Sequence, residues 1–207
     1  MKQLNNYISE KLHLSKDIKE YKYFPETEEE LIDILIDKKD ILHKRKIDLS
    51  DIEVSNLTDI GGAFQRCSSL IEVDLSGWDV SNITDMGHLF NDCKNLRKVN
   101  LSGWNTSKVK NMSRMFDMCQ KLEVIEGIED FDTNSVENME QMFYGCSKFN
   151  QDISKWDVSN VTNFRASLTG CVKFNQDLEN WEINDKADTK WMLRNTPSLL
   201  KKPSWWK

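Results

Sequence analysis

The chain has little of what marks several common classes of protein. Its 207 residues include only 3 prolines and 3 histidines. No apolar run reaches the 18 residues needed to cross a membrane, so we expect no membrane span. The start also lacks the uninterrupted apolar stretch that a secretory signal requires, which favours a cytoplasmic location.

A basic excess and a metal-binding pattern are missing as well. The formal charge is -6 and the pI is about 5.2, which argues against nucleic acid as a partner because phosphate binding needs a basic stripe. The three histidines, His13, His43 and His88, each stand alone, and there is no Cys-x-x-Cys, so we predict no metal site. No phosphate-binding glycine loop or nucleophile elbow appears. We therefore predict a protein that is not an enzyme and holds no cofactor.

What the sequence has instead is an internal repeat marked by cysteine. The five cysteines recur every 25 to 27 residues, at Cys67, Cys93, Cys119, Cys146 and Cys171. Five cannot all pair within one chain, and one fixed position in every copy is typical of buried free thiols that fill a core. The alternative is a disulfide between stacked copies, since neighbouring strands lie about 4.8 Å apart.

Apolar residues precede each cysteine at a helical spacing. In the second copy they are Ile83, Met86 and Phe90, which together with Cys93 stand at positions 0, 3, 7 and 10. This spacing lines one face of a helix of about three turns. Ser81-Asn82 stands just ahead, where side chains that cap a first turn are preferred. The pattern predicts a short helix in every copy.

After each cysteine the period changes to that of a strand. Leu70-x-x-Val73-x-Leu75 and Leu96-x-x-Val99-x-Leu101 alternate apolar and polar residues, as a strand with one buried face does. We predict an α/β fold: a leucine-rich-repeat-like solenoid of about six strand-turn-helix units, with a parallel sheet and a small helical amino-terminal cap.

The predicted domain boundaries follow the repeat. Residues 1–47 form a helical leader and amino-terminal cap, 48–195 form the solenoid, and 196–207 form a carboxy-terminal cap or tail. In the first part, Thr27-x-x-Glu30 is a capping box at the start of a helix that runs to about Lys38. The apolar face of that helix is predicted to consist of Leu31, Ile32, Ile34, Leu35 and Ile36.

Two groups of large apolar residues, one in the repeats and one in the tail, can each be interpreted as buried or as exposed for binding. A column of them stands three positions after the last apolar residue of each strand, at Ile52, Trp78, Trp104, Phe131, Trp156 and Trp181. We expect this column in the core, with an exposed docking stripe as the alternative. The tail residues Leu199, Leu200, Trp205 and Trp206 either fold over the last unit or protrude towards a partner.

The predicted binding surface lies on the outward positions of the strands. They build a polar, mostly acidic stripe, at Glu72, Asp74, Lys98, Asn100, Asn150, Asp152, Asn175 and Asp177. Repeat proteins bind partners along such extended surfaces, and the sign of the charge favours a basic protein segment. The alternative is an ordinary solvated face. The sequence therefore predicts a protein–protein interaction module.

The repeat resembles a known family. The run Leu75-Ser-Gly-Trp-Asp-Val-Ser-Asn-Ile-Thr-Asp-Met86, with Phe90-x-x-Cys93, resembles the BspA-like leucine-rich-repeat surface proteins and the related repeats of mycoplasma lipoproteins. A second copy begins at Asn150-Gln-Asp-Ile-Ser-Lys-Trp156. The resemblance covers about residues 48–195 and implies a leucine-rich-repeat fold. Because many members are surface adhesins, it also implies an adhesin-like role as an alternative function.

The opening residues carry a second resemblance. Tyr7-Ile8-Ser9-Glu10, after a Met-Lys start, is similar to the cleavable leaders of internal head proteins of large tailed phages. It implies a further alternative, a phage-encoded, virion-associated structural protein with a cleaved leader. The other interpretation is an amphipathic first helix built on Leu4, Tyr7, Ile8 and Leu12.

Overall fold

The computed structural model describes residues 21–37, 46–47 and 49–206. Among them, helix α1 spans Glu28–Asp37, and a short 3-10 helix spans Ile128–Asp130. The strands are β1 at Lys46–Ile47, β2 at Glu72–Asp74, β3 at Lys98–Asn100 and β4 at Val124–Glu126. The predicted phage-type leader lies outside the described residues.

Helix α1 begins as the capping box predicts. The N–H of Glu30 donates to Oγ1 of Thr27 at 3.1 Å, and the Glu30 carboxylate accepts from the N–H of Glu26 at 2.8 Å. Leu31 and Leu35 are buried, but Ile36 is 60 % exposed, so the apolar face is narrower than predicted. Two buried residues one turn apart hold the helix against the rest of the fold.

The strands form a small parallel sheet in the order β1-β2-β3-β4. Val73 pairs with Val99, and Val99 pairs with Ile125, so equivalent residues of successive copies lie side by side. These three side chains are buried, whereas the flanking positions face outward. The strands are only two or three residues long.

The helices predicted ahead of each cysteine do not form, so the prediction of a leucine-rich-repeat-like solenoid of strand-turn-helix units is wrong. In the described chain those stretches are successive tight turns, which we call the turn segments: 57–67, 83–93, 109–119, 136–146, 161–171 and 186–196. Helix α1 lies outside all of them. The structure thus joins short strands to stacked turns.

Backbone hydrogen bonds show why turns replace helices. In segment 109–119 the N–H of Met112 donates to Asn138 at 2.9 Å and that of Phe116 to Met142 at 2.9 Å, both carbonyls of the next turn segment. The residues between them bond locally, as when the N–H of Met115 donates to Met112 at 3.3 Å. Alternate amides therefore point to the neighbouring copy instead of along a helix axis.

Left-handed residues make this alternation possible. Arg114 and Met118 have φ values of 55° and 60°, and Gly145 takes the place equivalent to Met118 with a φ of 71°. A right-handed helix has no room for such residues, since every φ in it is near -63°. The apolar spacing of three and four residues fits a chain of tight turns as well as it fits a helix, and the sequence pattern could not separate the two.

Two aligned rows fill the interior. The rings of Phe64, Phe90, Phe116 and Phe143 stack with centroids 5.1, 5.5 and 5.6 Å apart. Beside them all five cysteines are buried and free, which confirms the thiol prediction and rules out the disulfide alternative. Cys119 Sγ donates to the carbonyl of Phe90 at 3.0 Å, and the thiols of Cys93, Cys146 and Cys171 make the equivalent bond. Burial raises the pKa of the Cys171 thiol.

The column of large residues also lies in the core, as predicted. Trp78, Trp104, Phe131, Trp156 and Trp181 are at most 5 % exposed, and Ile52 is fully buried. Each indole N–H donates to a backbone carbonyl one copy earlier, as Trp104 does to Leu75 at 2.8 Å. In the tail, Trp205 makes the equivalent bond to Leu178 at 2.9 Å, and Leu199, Trp205 and Trp206 pack against the core, whereas Leu200 is 87 % exposed.

Beyond β4, side-chain amides take over the role of the strands. Gln151 Oε1 accepts from the N–H of Ile125 at 2.6 Å, and Gln151 Nε2 donates to the Ile125 carbonyl at 3.0 Å. In the next copy Gln176 Nε2 donates to the carbonyl of Asn150 at 3.0 Å. One glutamine thus satisfies the two backbone groups that a fifth strand would have paired.

Candidate binding groove

An open groove of about 410 Å³ runs across the first three turn segments, and the amino-terminal end of α1 forms one wall. Its lining is polar and rich in small residues. The lining residues are Glu28, Asp59, Gly61, Gly62, Gln65, Asp85, Gly87, His88, Asn111 and Ser113. We call this site the acidic groove.

A column of Asp and Asn side chains builds the floor. Asp59 Oδ1 accepts from the N–H of Gly61 at 2.7 Å, and Asp85 Oδ1 accepts from Gly87 at the same distance. Each bond closes a turn two residues long, which is a role that Asp and Asn share. Asn111 then donates from Nδ2 to both carboxylate oxygens of Asp85, at 2.9 and 3.0 Å.

Glycine allows neighbouring turns of the groove to approach closely. A Cβ added to Gly61 would lie 2.8 Å from the carbonyl oxygen of Gly87, and one added to Gly87 would lie 2.8 Å from Nδ2 of Asn111. Ser113 is the third residue in this column. The later copies carry long side chains at the same position, namely Glu140, Arg165 and Lys190. The groove is therefore confined to the copies with small residues.

Carboxylates give the groove its charge. Burial raises the pKa of Glu28, and the charges of Asp59 and Asp85 add to the increase. Burial likewise raises the pKa of Asp59, against the hydrogen bond from Gly61, which lowers it. At His88, burial and the nearby Arg114 lower the pKa. An incoming positive charge would stabilise the ionised forms of Glu28 and Asp59.

A buried carboxyl lies at the end of a hydrogen-bonded row that starts in the groove. Gln65 Nε2 donates to Oδ1 of Asn91 at 2.8 Å, and Asn91 Nδ2 donates to Oδ2 of Asp117 at 3.1 Å. Asp117 is only 7 % exposed. Burial raises its pKa to about 6, although Arg114 acts in the opposite direction.

Half of the stripe residues predicted from the sequence complete turns. Their side chains each accept the N–H two residues on, at distances from 2.9 to 3.1 Å; the residues are Asp74, Asn100, Asp152 and Asp177. All four are exposed or half-buried. Their polar ends are therefore already engaged with the chain's own backbone.

The other stripe residues are also placed by neighbouring copies. Glu72 and Lys98 are register partners on β2 and β3, and Lys98 Nζ lies 2.7 Å from Oε1 of Glu126. Asn150 Oδ1 accepts from the N–H of Asn175 at 2.8 Å, and Asn175 Oδ1 accepts from Leu200 at 3.1 Å. The stripe follows the strand side of the copies, whereas the acidic groove lies on the turn segments.

The sequence analysis missed the acidic groove, although a signal for it exists. In the first five copies an Asp or Asn comes directly before the second apolar residue of the turn segment, as Asp59, Asp85 and Asn111 do. The residue two positions later is Gly, Gly and Ser in the first three copies. Interpreted as a helix, this column appeared as scattered surface residues.

Among residues 21–37, 46–47 and 49–206, no helix is long and apolar enough to span a bilayer. Within the same ranges, no group of three or more His, Cys, Asp or Glu side chains is arranged to hold a metal ion.

Comparison with known proteins gives a family match. The model of the family described as "Mycoplasma protein of unknown function, DUF285" matches twice, over residues 37–126 and 118–207. No curated protein and no solved structure matches the chain.

Proposed function

The chain belongs to the DUF285 family, whose description assigns no function, and we propose from its geometry that it is a non-enzymatic protein-binding module whose acidic groove takes a basic side chain of a partner. The observation that carries the proposal is the meeting of Glu28, Asp59 and Asp85 along one open groove.

The shape of the groove supports an extended, positively charged guest. A volume of about 410 Å³ gives space for a long side chain together with part of its backbone. Arginine matches the site well because its planar guanidinium can donate to two carboxylates at once. Burial raises the pKa of Glu28 and the charges of Asp59 and Asp85 add to the increase, so a positive guest would stabilise the ionised carboxylate.

The groove is a better candidate than the sheet stripe because Asp59 has a carboxylate oxygen outside the turn bond, although both oxygens of Asp85 already accept from Asn111. Asp74 accepts from both the N–H and the hydroxyl of Ser76, and Lys98 is paired with Glu126. Binding there would have to break contacts that hold the turns. In the groove, one carboxylate oxygen of Asp59 accepts from the N–H of Gly61, and the other can accept from a bound partner.

A charge-removing pair of substitutions tests the proposal. Asp59→Asn together with Asp85→Asn keeps an oxygen for each turn, and Asn is the native residue of this column at positions 111, 138 and 163. We expect the affinity for a labelled peptide of seven arginines, followed by fluorescence anisotropy, to fall about tenfold or more, which is about 1.4 kcal/mol.

The matched control removes the same charge elsewhere. Glu129 and Asp130 are exposed on the short 3-10 helix, so Glu129→Gln with Asp130→Asn changes the net charge equally. This control should alter the affinity less than twofold. Equal weakening in both double variants would show attraction to overall charge alone and would refute the groove as the binding site.

A further inference from the structure

One column on the surface of the turn segments changes from small to long side chains along the stack. Its members stand two residues after the Asp or Asn of each copy: Gly61, Gly87, Ser113, Glu140, Arg165 and Lys190. The Asp and Asn residues pair as parallel bridges from Asp59 to Asp188, so the six members lie in register. The first three line the acidic groove, and the last three are half-buried or exposed. We call this side of the molecule the turn face.

The two halves of the turn face also differ in charge. The groove contributes the carboxylates of Asp59 and Asp85, and the later copies contribute Arg165 and Lys190. Arg165 lies 3.7 Å from Asp188, but both side chains are partly exposed, and such surface ion pairs contribute little to stability. The guanidinium can therefore exchange this carboxylate for one on another molecule. The chain itself thus supplies basic side chains of the kind that the acidic groove is proposed to take.

The two halves match each other in shape when a second copy of the chain lies antiparallel across the first. Hydrogen-bonded neighbours in the stack are about 4.8 Å apart, so the two turn faces meet in equal steps. With a two-fold axis between the third and fourth turn segments, every long side chain of the column faces a small residue. The facing pairs are Lys190 with Gly61, Arg165 with Gly87, and Glu140 with Ser113.

The charges match in the same arrangement. Lys190 of one copy comes to Asp59 of the other, and Arg165 comes to Asp85, because each acid stands two residues before the facing glycine. Near the axis, Arg114 follows Ser113 and would lie beside Glu140 of the second copy. A two-fold interface makes every such contact twice. A parallel arrangement would instead place acid against acid and base against base, which electrostatic repulsion disfavours.

We propose that two copies of this chain associate through their turn faces in antiparallel orientation, with Arg165 and Lys190 of each copy in the acidic groove of the other. The dimer rests on the proposed function, because it uses the same groove, and it makes the partner a second copy of the chain. A carboxylate has about four acceptor sites. The bonds from Gly87 and Asn111 occupy three of those of Asp85, which leaves one for Arg165.

The mass of the full chain in solution tests the association. In analytical ultracentrifugation at about 0.1 mM protein and low salt, most of the chain should sediment at twice its mass of 24.3 kDa. The dimer should dissociate in about 0.5 M salt, since its contacts are ionic. A monomer under the first condition, or assemblies larger than a dimer, would overturn the proposal.

Two pairs of substitutions test which charges hold the dimer. Arg165→Glu with Lys190→Glu should raise the Kd of the dimer at least tenfold, and the column tolerates glutamate, which is native at position 140. Lys148→Glu with Lys155→Glu makes the same charge change at exposed positions outside the turn segments and should alter the Kd less than twofold. Equal weakening by the two pairs would contradict the turn face as the interface.

Mixing two weakened variants tests the antiparallel arrangement. A chain with Arg165→Glu and Lys190→Glu keeps its groove, whereas one with Asp59→Asn and Asp85→Asn keeps its basic side chains, so only the mixed dimer retains one complete set of contacts. Native mass spectrometry of the mixture should show the mixed dimer in excess over both homodimers. A random mixture would refute the arrangement. A chain that binds the arginine peptide but stays monomeric would refute the dimer alone and leave the groove as proposed.

Discussion

Two regions of the stack hold their copies together by different means. In the strand region, residues 70–126, backbone pairs such as Val73 with Val99 join β2, β3 and β4. In the amide region, residues 136–178, the side chains of Gln151 and Gln176 make the bonds to the previous copy. Buried rings lie in both: the row that starts at Phe64 ends at Phe143, and the ring centroid of Phe149, which takes the place of Leu122, lies 4.1 Å from that of Phe143 and 5.9 Å from that of Phe174.

The comparison teaches that strand pairing is the replaceable part of this fold. Both regions keep the inter-copy backbone bonds of the turn segments, the buried thiols and the stacked rings. What differs is the outer side, where a glutamine can replace a strand. The buried rings and the backbone bonds between turn segments therefore set the register of the copies. The strands and glutamines on the strand side adopt the same register.

Removing a buried ring should have the largest effect, and the same one in both regions. Phe116 and Phe149 are fully buried, so Phe116→Ala and Phe149→Ala should each lower the free energy of unfolding by about 3 to 5 kcal/mol. Urea denaturation measures this. A cost below about 1 kcal/mol in either region would break the claim of a shared interior.

The second-largest effect on stability is expected at Gln151, the glutamine that replaces a strand. Gln151→Ala leaves the N–H and carbonyl of the fully buried Ile125 without their partners and should cost about 1 to 3 kcal/mol. The same denaturation series should show an unchanged m-value, since the stack remains folded. If Gln151→Ala left the free energy of unfolding unchanged, water would satisfy the backbone groups of Ile125 equally well. The hydrogen bonds of Gln151 would then contribute nothing to stability.

The two regions also differ beside the rings, where the buried Asp117 of one corresponds to Tyr144 of the other. The pKa of Asp117 rises from the ordinary 3.8 to about 6, so the folded chain binds the proton more tightly than the unfolded chain. Wild-type stability should therefore fall as the pH rises from about 4 to 6. Asp117→Asn removes that loss and should be more stable by about 1 to 2 kcal/mol at pH 8.

The pH dependence itself decides this prediction. The advantage of Asp117→Asn should shrink towards pH 4 and vanish near about pH 3, below the ordinary pKa of 3.8, where the wild-type carboxyl is mostly protonated in both states. Asp92→Asn serves as the control, because Asp92 is only half-buried and already has an ion pair with Lys94 at 3.3 Å. A stability difference that is constant between pH 4 and pH 8 would contradict a buried, readily protonated Asp117.

The smallest effect is expected at the outer glutamine. Gln176→Ala loses bonds to the exposed Asn150, whose carbonyl can bond to water instead, so the cost should stay below about 1 kcal/mol. A cost equal to that of Gln151→Ala would mean that exposure does not govern the value of these bonds.

The sequence predicted what depends on composition at fixed positions. The column of cysteines and the Trp column indicated buried rows, and Thr27 with Glu30 indicated where α1 begins. The turn segments could not be predicted, because Ile83, Met86, Phe90 and Cys93 have the same spacing on a helix and on a chain of tight turns. The left-handed φ at residues such as His88 and Asp92 distinguishes the chain of turns from a helix. A non-glycine residue gives little sign in the sequence that it will adopt this conformation.

The acidic groove was missed for the same reason. Its floor exists only when Asp59, Asp85 and Asn111 lie in register on neighbouring turns. On a helix the glycines of the first copy would have been a weakness, whereas in the turns Gly61 and Gly87 permit a close approach. The predicted stripe rested on a pattern of period two, which correctly places Glu72, Asp74, Lys98 and Asn100 on strands. Its other residues lie in no strand of the described chain, namely Asn150, Asp152, Asn175 and Asp177.

The central claim is that alternate amides of each turn segment bond to the next copy. Scalar coupling across the hydrogen bond, measured by NMR on labelled protein, identifies the acceptor of each amide directly. The account predicts a coupling from the amide nitrogen of Phe116 to the carbonyl carbon of Met142, its acceptor at 2.9 Å. A coupling from Phe116 to the carbonyl of Met112 would show a helix and would contradict the account.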